Sequence, residues 1–457
     1  MKDYNLIVIG AGPAGYVAAI RASQLGAKVG VVEKEAVGGV CLNKGCIPTK
    51  CLIGALDPLI KVKKFESCGI KITGSSVDLT QLMAWKDKVV TRLVNGVLFL
   101  FKSNGIEILK GFGRIKAPDC VEVTGDGAKE EIKTEKVILA SGSSPLRPKN
   151  FPFDDERFLT SDELLSLNRV PKNLVIIGGG VIGCEFAVIF KRLGAEVTIY
   201  EMMEHLLPLE DEEVGHFLEG CFKKEGIKVL TKTRVEEPKN LTAEKILIAI
   251  GRSLNLENLG LDNMGIKQDE KRNILVNEKM ETNIPNIYAA GDITGKGLLA
   301  YLASKQGVVA AENSQGFLAT MDYRVVPSCI FTDPEIGTVG LTEKEAREKY
   351  PVSIGKFPLS ASGKAHTANE TRGFVKIIAE KDSDEILGAQ IVGPSATDLI
   401  TVLTLAMKLG ARVKDLSALL YGHPTFAESI REAAEDTEKR SIHLPKKIYP
   451  SPLEGED

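Results

Sequence analysis

The stretch "LIVIGAGPAG", residues 6–15, predicts a buried β-strand that passes through a tight turn into a helix. Its glycines follow the pattern Gly10-x-Gly12-x-x-Gly15. The first glycine permits the turn, the second lets a pyrophosphate approach the backbone, and the third lets helix and strand pack closely. Glu33 follows Gly15 by 18 residues, close to where an acidic side chain accepts hydrogen bonds from an adenosine ribose. The pattern therefore predicts a dinucleotide-binding unit.

A second copy of this unit, "LVIIGGGVIG", spans residues 174–183. Gly178, Gly180, Gly183 and Glu201 each follow their counterparts by 168 residues. A single glycine pattern is a weak signal, because glycine turns that bind no ligand are common. The repeated spacing and the paired carboxylates favour nucleotide binding. They predict an α/β fold with two Rossmann-like dinucleotide-binding domains.

The residues around Glu201 bear on the choice of the second dinucleotide. A carboxylate at this position suits the free 2′-hydroxyl of NAD and repels the 2′-phosphate of NADP. The residues that follow, Met202, Met203 and Glu204, supply no arginine to hold a phosphate. We therefore expect the second unit to prefer NAD.

Two further segments resemble each other at an offset of 109 residues, "EKVILASGSS" (135–144) and "EKILIAIGRS" (244–253). Each predicts an apolar strand followed by a glycine, Gly142 or Gly251, and ligands of doubly wound sheets lie beyond such strand ends. Two dinucleotide units imply two dinucleotides, or one dinucleotide and a decayed site. One candidate pair is a flavin and a nicotinamide, with hydride passing between their rings.

Composition narrows the class of protein. The chain has 457 residues, enough for several domains, and its net charge of −3 with both signs mixed disfavours nucleic acid and anionic membranes as partners. Glycine clusters interrupt the apolar runs at 4–20 and 173–190, which disfavours a signal peptide or a membrane span. We expect a cytoplasmic protein, in which eight cysteines do not imply a disulfide framework.

The stretch "GGVCLNKGCIPTK" (38–50) holds Cys41 and Cys46 five residues apart. In a straight helix their Cα atoms would lie about 8–9 Å apart, beyond the disulfide limit of about 7 Å, so a bond requires a distorted segment. Gly45 permits the distortion, and a helix that begins just after Cys46, with Lys50 close by, would favour a thiolate. A zinc site would need a second ligand pair, which the sequence lacks, so we predict no metal. Cys51, also five residues from Cys46, is predicted to be a buried helix residue.

Together these motifs resemble the flavin-dependent pyridine nucleotide–disulfide oxidoreductases, and within them the members that oxidise dihydrolipoamide. The resemblance runs from about residue 3 to about residue 444. It is carried by "GGVCLNKGCIPTK", the two glycine units, "EKILIAIGRSLN", "IPNIYAAGDITG" and "GHPTFAES". It implies a homodimer with an α+β dimerisation domain, bound FAD and NAD, and a Cys41–Cys46 redox disulfide.

The resemblance also implies the role of each thiol. Cys41 would exchange with the substrate, and Cys46 would face the flavin. Lys50 would lie near the flavin, paired with Glu185. The residues implied to bind FAD are Gly10, Gly12, Gly15, Glu33, Lys50, Gly142 and Asp292. The residues implied for the NAD site are Gly178, Gly180, Gly183, Glu185, Glu201, Gly251 and Arg252.

The resemblance further implies that His423 is a base held by Glu428 and supplied by the other subunit. A thiol of ordinary pKa is mostly protonated at neutral pH, whereas exchange requires a thiolate. A histidine oriented by a carboxylate can take that proton. In isolation His423 would read as an ordinary structural histidine. We keep that interpretation for His205, His216, His366 and His443.

Several positions depart from the family pattern. Val40 stands where a threonine is frequent, and Tyr301 and Tyr421 stand where histidines are frequent. Between "KVLTKTRVEEP" (228–238) and "AEKILIAIG" (243–251) members of the family usually carry a longer stretch with extra strands. This chain is shorter there by more than about ten residues. We therefore expect a trimmed second nucleotide domain.

We expect four segments: an FAD-binding domain (1–143), an NAD-binding domain (144–265), a central segment (266–324) and an interface domain with a mobile tail (325–457). The expected reaction converts dihydrolipoamide and NAD⁺ to lipoamide and NADH. Because no lipoyl domain is recognisable in the sequence, we expect the lipoyl carrier to be a separate protein of a 2-oxo acid dehydrogenase or glycine cleavage system. The alternatives are a glutathione-type reductase, a mercuric reductase, a diaphorase and a non-catalytic lipoyl-binding subunit.

Overall fold

The structure is a computed structural model that describes residues 3–125 and 127–445. Its strands are β1 (Asp3–Ile9), β2 (Val29–Glu33), β3 (Glu107–Lys110), β4 (Phe112–Ala117), β5 (Cys120–Gly125), β6 (Ala128–Leu139), β7 (Ser143–Pro145), β8 (Phe158–Leu159), β9 (Asn173–Ile177), β10 (Glu196–Tyr200), β11 (Lys228–Leu230), β12 (Lys245–Ile248), β13 (Arg252–Leu254), β14 (Ile287–Ala289), β15 (Pro327–Ile330), β16 (Ile336–Gly340), β17 (Val352–Pro358), β18 (Phe374–Glu380) and β19 (Ile386–Val392). Its helices are α1 (Pro13–Gln24), α2 (Gly39–Lys44), α3 (Cys46–Lys64), α4 (Leu79–Ser103), α5 (Ser161–Leu164), α6 (Val181–Arg192), α7 (Glu212–Lys224), α8 (Leu261–Met264), α9 (Ala300–Ser314), α10 (Glu343–Lys349), α11 (Gly363–Thr367), α12 (Ala396–Lys408), α13 (Val413–Ala418) and α14 (Glu428–Thr437).

The chain divides into two compact units. The first comprises the residues up to Leu56, then Ser76–Leu174 and Glu237–Tyr323; the second comprises Asp57–Ser75, Val175–Glu236 and the residues from Arg324 onward. The tail that the sequence predicts to be mobile lies, from residue 446 onward, outside the described residues. In the part of the chain that the structure describes, no helix has the length and apolar character needed to cross a bilayer.

The first unit contains a seven-stranded sheet in the order β3-β2-β1-β6-β5-β4, with β14 also paired to β6. Strands β3, β2, β1, β6 and β14 run parallel, whereas β5 and β4 run antiparallel to their neighbours. The register sets Ile9 beside both Val32 and Leu139. The carboxyl ends of β1, β2 and β6 therefore share one edge, and the loops that follow them meet there.

Buried apolar side chains explain why these strands form the centre of the first unit. Ile7, Val137 and Ile287, from β1, β6 and β14, are completely buried. Parallel strands covered on both faces read as continuous apolar runs, which is how "LIVI" and "VIL" appear in the sequence.

The second unit contains the parallel pair β10–β11 and a five-stranded antiparallel sheet in the order β15-β16-β19-β18-β17. Helices α12 and α14 supply Ile400, Leu403 and Ile430 to a core that also contains Ile377 and Ile391 of the antiparallel sheet. Parallel strands with helices in one part and an antiparallel sheet with helices in another confirm the predicted α/β class with a C-terminal α+β portion.

Candidate functional site

The two glycine units fold alike at the start of their helices. Helix α1 begins at Pro13, directly after Gly12, and α6 begins at Val181, directly after Gly180. Gly12 has φ −72° and ψ −174°, and Gly180 has φ −75° and ψ −175°. No side chain caps either helix. The first N–H groups and the positive dipole end of each helix are therefore available to a ligand at its N-terminus. Phosphate groups bind well in such a place.

The remaining glycines of each unit explain why larger residues do not fit. Gly10 and Gly178 have φ of +104° and +106°, a backbone conformation that side chains disfavour. A Cβ atom on Gly15 would collide with the carbonyl oxygen of Gly10, and one on Gly183 with that of Gly178. The two glycine units, 168 residues apart in the sequence, therefore share the same backbone conformation and the same close contacts.

Glu33 ends β2 with both carboxylate oxygens engaged. Oε2 accepts a hydrogen bond from the backbone N–H of Ala11 at 2.8 Å, and Oε1 accepts one from Glu35 N–H at 2.7 Å. A cleft of about 210 Å³ opens at this edge of the sheet. Its lining includes Ile9, Gly10, Val32, Glu33, Ser141 and Asn255. A carboxylate, a helix N-terminus and a cleft beside them fit the adenosine diphosphate end of FAD.

Glu201 repeats this arrangement in the second unit. Its Oε2 accepts from Gly179 N–H at 2.6 Å and its Oε1 from Met203 N–H at 2.8 Å. These donors are again the residue after the first glycine and the second residue after the glutamate. Glu201 is buried, and the adjacent α6 N-terminus completes a site that fits the adenosine end of NAD.

A hydrogen-bond chain joins Arg252, Ser143 and Asp292 in the first unit. Arg252 Nε donates to Ser143 Oγ at 2.7 Å, and its Nη2 donates to the Ser143 carbonyl oxygen at 2.7 Å. Ser143 Oγ donates to Asp292 Oδ2 at 2.5 Å. The carbonyls of Gly142 and Gly251 accept hydrogen bonds from the backbone N–H groups of Asn255 and Leu146. Arg252, predicted from the sequence for the NAD site, therefore lies beside a residue predicted for the FAD site.

The cysteine segment breaks where the sequence permits it. Helix α2 ends at Lys44, Gly45 takes φ −143° and ψ −111°, and α3 begins at Cys46. This break brings the Cys41 and Cys46 thiols into hydrogen-bond contact. The hydrogen bond to Cys46, burial and the charge on Cys46 raise the pKa of Cys41 well above its ordinary value, while Lys50 acts in the opposite direction. Among the described residues, no group of three His, Cys, Asp or Glu side chains is arranged to hold a metal ion.

Lys44 lies between the two cysteines and was not singled out from the sequence. Its Nζ forms ion pairs with Glu35 at 2.9 Å and with Asp162 at 3.9 Å. The hydrogen bond to Glu35 raises the pKa of Lys44, so it is a cation at neutral pH. Burial raises the pKa of Asp162, an effect that Lys44 and Arg252 oppose.

Glu185 and the predicted base lie in the second unit. Glu185 is buried in α6, and its Oε1 accepts from Phe331 N–H at 3.1 Å. His423 Nδ1 lies 3.0 Å from Glu428 Oε1, and Thr425 N–H donates to Glu428 Oε2 at 2.8 Å. The His423 side chain is 79% exposed, so its ring is accessible from solvent within one chain.

The tyrosine that replaces a frequent histidine of the pattern lies two residues before His423. Burial raises the pKa of Tyr421 to about 12, and its hydroxyl donates to the Leu416 carbonyl at 3.2 Å. Tyr421 is therefore a neutral hydrogen-bond donor at physiological pH and takes no part in proton exchange there.

Comparison with known proteins gives two family matches. The model of the pyridine nucleotide-disulphide oxidoreductases matches residues 4–307, and the model of their dimerisation domain matches residues 326–434. The chain belongs to the pyridine nucleotide-disulphide oxidoreductase family.

Relatives within this family extend over nearly the whole chain. A protein of Thermus scotoductus named dihydrolipoyl dehydrogenase is 44% identical over 97% of this chain and 99% of its own length. A protein of Chlamydia pneumoniae with the same name is 41% identical over 98% of this chain and 99% of its own.

Solved structures of the family share the fold. LpdA of Mycobacterium tuberculosis superimposes with a TM-score of 0.87 at 27% identity, covering 95% of this chain and 99% of that one. The flavoprotein disulfide reductase RclA of Escherichia coli, solved as a Cu(II) complex, gives 0.86 at 27% identity with the same coverage. The resemblance read from the sequence is thereby confirmed, including its dimerisation domain.

Proposed function

We propose that this oxidoreductase transfers electrons from dihydrolipoamide to NAD⁺ and forms lipoamide and NADH. The observation that carries the proposal is the contacting pair Cys41 and Cys46 at the start of α3, in a chain with two dinucleotide-binding units. The relatives named dihydrolipoyl dehydrogenase, which match over nearly their full length, support it.

The proposed exchange is a balanced two-step reaction. One substrate thiolate attacks the Cys41 sulfur of the Cys41–Cys46 disulfide, forms a mixed disulfide and releases Cys46 as a thiolate. The second substrate thiol then attacks the substrate sulfur of the mixed disulfide, which closes the lipoamide ring and releases Cys41. The substrate dithiol is oxidised and the cysteine pair is reduced by two electrons.

We assign the proton transfers to His423. With its Nδ1–H donated to Glu428, Nε2 carries the lone pair that accepts a thiol proton. In the proposed homodimer His423 of one subunit serves the cysteines of the other. During the exchange His423 takes the proton of the attacking substrate thiol and returns a proton to Cys41 when Cys41 is released, and the raised pKa of Cys41 favours that return.

The electron-accepting chemistry is supplied by bound FAD and NAD⁺. The residues proposed to hold FAD are Gly10, Gly12, Gly15, Glu33, Lys50, Gly142 and Asp292. The residues proposed for the NAD site are Gly178, Gly180, Gly183, Glu185, Glu201 and Gly251. Arg252, which the sequence also predicts for this site, contacts Ser143 of the first unit. The engaged and buried carboxylate of Glu201 supports NAD over NADP.

The finer expectations of domain division, location and partners are also part of the proposal. The boundaries 1–143, 144–265, 266–324 and 325–457 remain our prediction. We further propose that the protein acts in the cytoplasm on the lipoyl group of a separate carrier protein.

The test is steady-state kinetics of the purified protein. Dihydrolipoamide, glutathione disulfide and a quinone are each compared with NAD(H) and NADP(H). We expect dihydrolipoamide with NAD⁺ to give the highest kcat/KM. Turnover of glutathione disulfide alone, or of quinone without lipoamide, would contradict the proposal and favour a glutathione-type reductase or a diaphorase.

A substitution at Cys46 tests the redox pair. Cys46→Ser should lose dihydrolipoamide turnover by at least about 10³-fold, because no disulfide can form with Cys41. Cys51→Ser, five residues further along α3, is the matched control and should retain turnover. Persistent lipoamide activity in Cys46→Ser, or its loss in Cys51→Ser, would mean that the pair is wrongly assigned.

A further inference from the structure

Ser143 lies at the centre of the hydrogen-bond chain that runs from Arg252 to Asp292. Its side chain is almost fully buried, and it uses both its hydroxyl and its carbonyl oxygen in contacts with Arg252. The two bonds from one guanidinium to one residue, both 2.7 Å long, fix the position of Arg252.

The direction of this chain follows from the chemistry of its groups. A guanidinium only donates, so Ser143 Oγ accepts from Arg252 Nε. The Ser143 hydroxyl has a single hydrogen, and it donates this hydrogen to Asp292 Oδ2 at 2.5 Å. Asp292 is therefore held as an acceptor by a donor whose orientation is itself fixed.

Strand pairing explains why these distant residues meet. Strands β6 and β14 pair in parallel, with Leu139 beside Ala289. Ser143 and Asp292 follow these two strands by a few residues, so both lie at the carboxyl edge of the sheet. Strand β13 pairs antiparallel with β7 and sets Arg252 opposite Pro145, two residues from Ser143.

Asp292 has one carboxylate oxygen left over. Within the described residues, Oδ2 accepts from Ser143 and no hydrogen bond reaches Oδ1. Asp292 is only partly buried, so a ligand hydroxyl at the carboxyl edge of the sheet can reach this second oxygen.

Arg252 sits among negative groups of the first unit. Burial lowers the pKa of Arg252, and Asp292, Asp162 and Cys46 act in the opposite direction. A guanidinium remains charged in proteins, so Arg252 supplies a permanent positive charge to this edge of the sheet.

We propose that Ser143 and Arg252 are positioning residues of the FAD site, which hold one oxygen of Asp292 so that the other is presented to the flavin side chain. Arg252 thus serves the flavin rather than the nicotinamide dinucleotide predicted from the sequence. The inference rests on the proposed function only in requiring that the first unit binds FAD.

Titration of the FAD-free protein with FAD, followed by flavin fluorescence, tests the inference without turnover. Ser143→Ala should raise the dissociation constant of FAD by roughly tenfold, the effect of one hydrogen bond to a charged group. Ser143→Thr, which keeps the hydroxyl, should recover most of the affinity. Arg252→Lys should weaken FAD similarly, because an ammonium cannot make both bonds to Ser143.

Three comparisons separate positioning from a general structural effect. The double variant Ser143→Ala/Arg252→Lys should be no weaker than the worse single variant, because both changes break one chain. Arg147→Met removes a positive charge from a half-exposed side chain of the same unit and should leave FAD affinity unchanged. Arg252→Lys should leave the KM for NAD⁺ within about twofold of the parent, below the effect of a lost hydrogen bond.

The inference is overturned if the single variants bind FAD like the parent, if their effects add in full, or if Arg252→Lys changes only the KM for NAD⁺. It is also overturned if the parent does not bind FAD. A parent that binds FAD but does not oxidise dihydrolipoamide would refute the proposed function and leave this inference standing.

Discussion

Cys41 and Cys46 differ in environment although only five residues separate them. Cys41 is a thiol whose pKa is raised by its hydrogen bond to Cys46 and by burial. Cys46 begins α3, where the positive end of a 19-residue helix favours negative charge. Cys41 therefore keeps its proton at neutral pH, whereas the start of α3 favours a thiolate at Cys46. This difference supports the proposed division between flavin-facing and substrate-facing thiols.

Glu428 provides a prediction at the scale of one residue. Burial would raise the pKa of Glu428, but the Thr425 N–H, His423 and Arg431 lower it by more, so the group is a carboxylate at neutral pH. Glu428→Gln should reduce kcat/KM for dihydrolipoamide by about 10²-fold, because His423 loses its orienting charge. Steady-state kinetics with varied dihydrolipoamide at pH 7 measure this loss.

Glu438→Gln, just after α14, is the matched control for that variant. Glu438 is about half exposed and pairs with Arg440, so its loss should leave the kinetics unchanged. A Glu428→Gln enzyme with the parental kcat/KM would refute the proposed role of this carboxylate.

At the scale of elements, the sequence predicted what is local and missed what is distant. The glycine spacing predicted how α1 and α6 begin, because a turn and its helix depend on neighbouring residues. The distorted cysteine segment was predicted for the same reason. The bond from Ser143 to Asp292 joins residues 149 apart, and no periodicity in the sequence encodes such a pair. The contact between Arg252 and Ser143 was missed as well, because pattern alone does not reveal which strand β13 joins.

Helix α14 carries a second histidine–carboxylate pair that supports stability. Glu432 Oε2 accepts from Ser441 Oγ at 2.6 Å, and its Oε1 lies 2.8 Å from His443 Nδ1. Burial would raise the pKa of Glu432, but Ser441, His443 and Arg431 lower it to about 2. Since the folded-state pKa lies below the ordinary 4.5, the carboxylate stabilises the fold above about pH 4.5, and this contribution disappears as the pH falls towards 2.

Glu432→Gln should therefore lower the Tm at pH 7 by about 2–4 °C or more. The Tm difference from the parent should shrink at pH 3, because the parent then also loses the carboxylate charge. Scanning calorimetry at both pH values measures this. An equal difference at pH 3 and pH 7 would show that the effect comes from packing rather than from titration.

At the scale of the whole molecule, one structural unit is used twice within a single chain. Helices α1 and α6 have the same length, 12 residues, and each follows a turn in which a glutamate accepts from equivalent backbone N–H groups. Residues 168 positions apart in the two units therefore make the same hydrogen bonds, as Ala11 with Glu33 and Gly179 with Glu201 show. This repetition allows the same substitution to be made in each copy, with a different consequence for each proposed dinucleotide.

Gly15→Ala and Gly183→Ala form that matched pair. In each, the new methyl group meets the carbonyl oxygen of the first glycine of its own unit, at a cost of about 1–3 kcal/mol. Gly183→Ala should retain FAD and raise the KM for NAD⁺ roughly tenfold or more, whereas Gly15→Ala should be purified with little flavin. Flavin absorbance of the purified proteins and steady-state kinetics with varied NAD⁺ separate the two effects. Loss of flavin from Gly183→Ala, or unchanged flavin content in Gly15→Ala, would contradict the assignment of FAD to the first unit and NAD to the second.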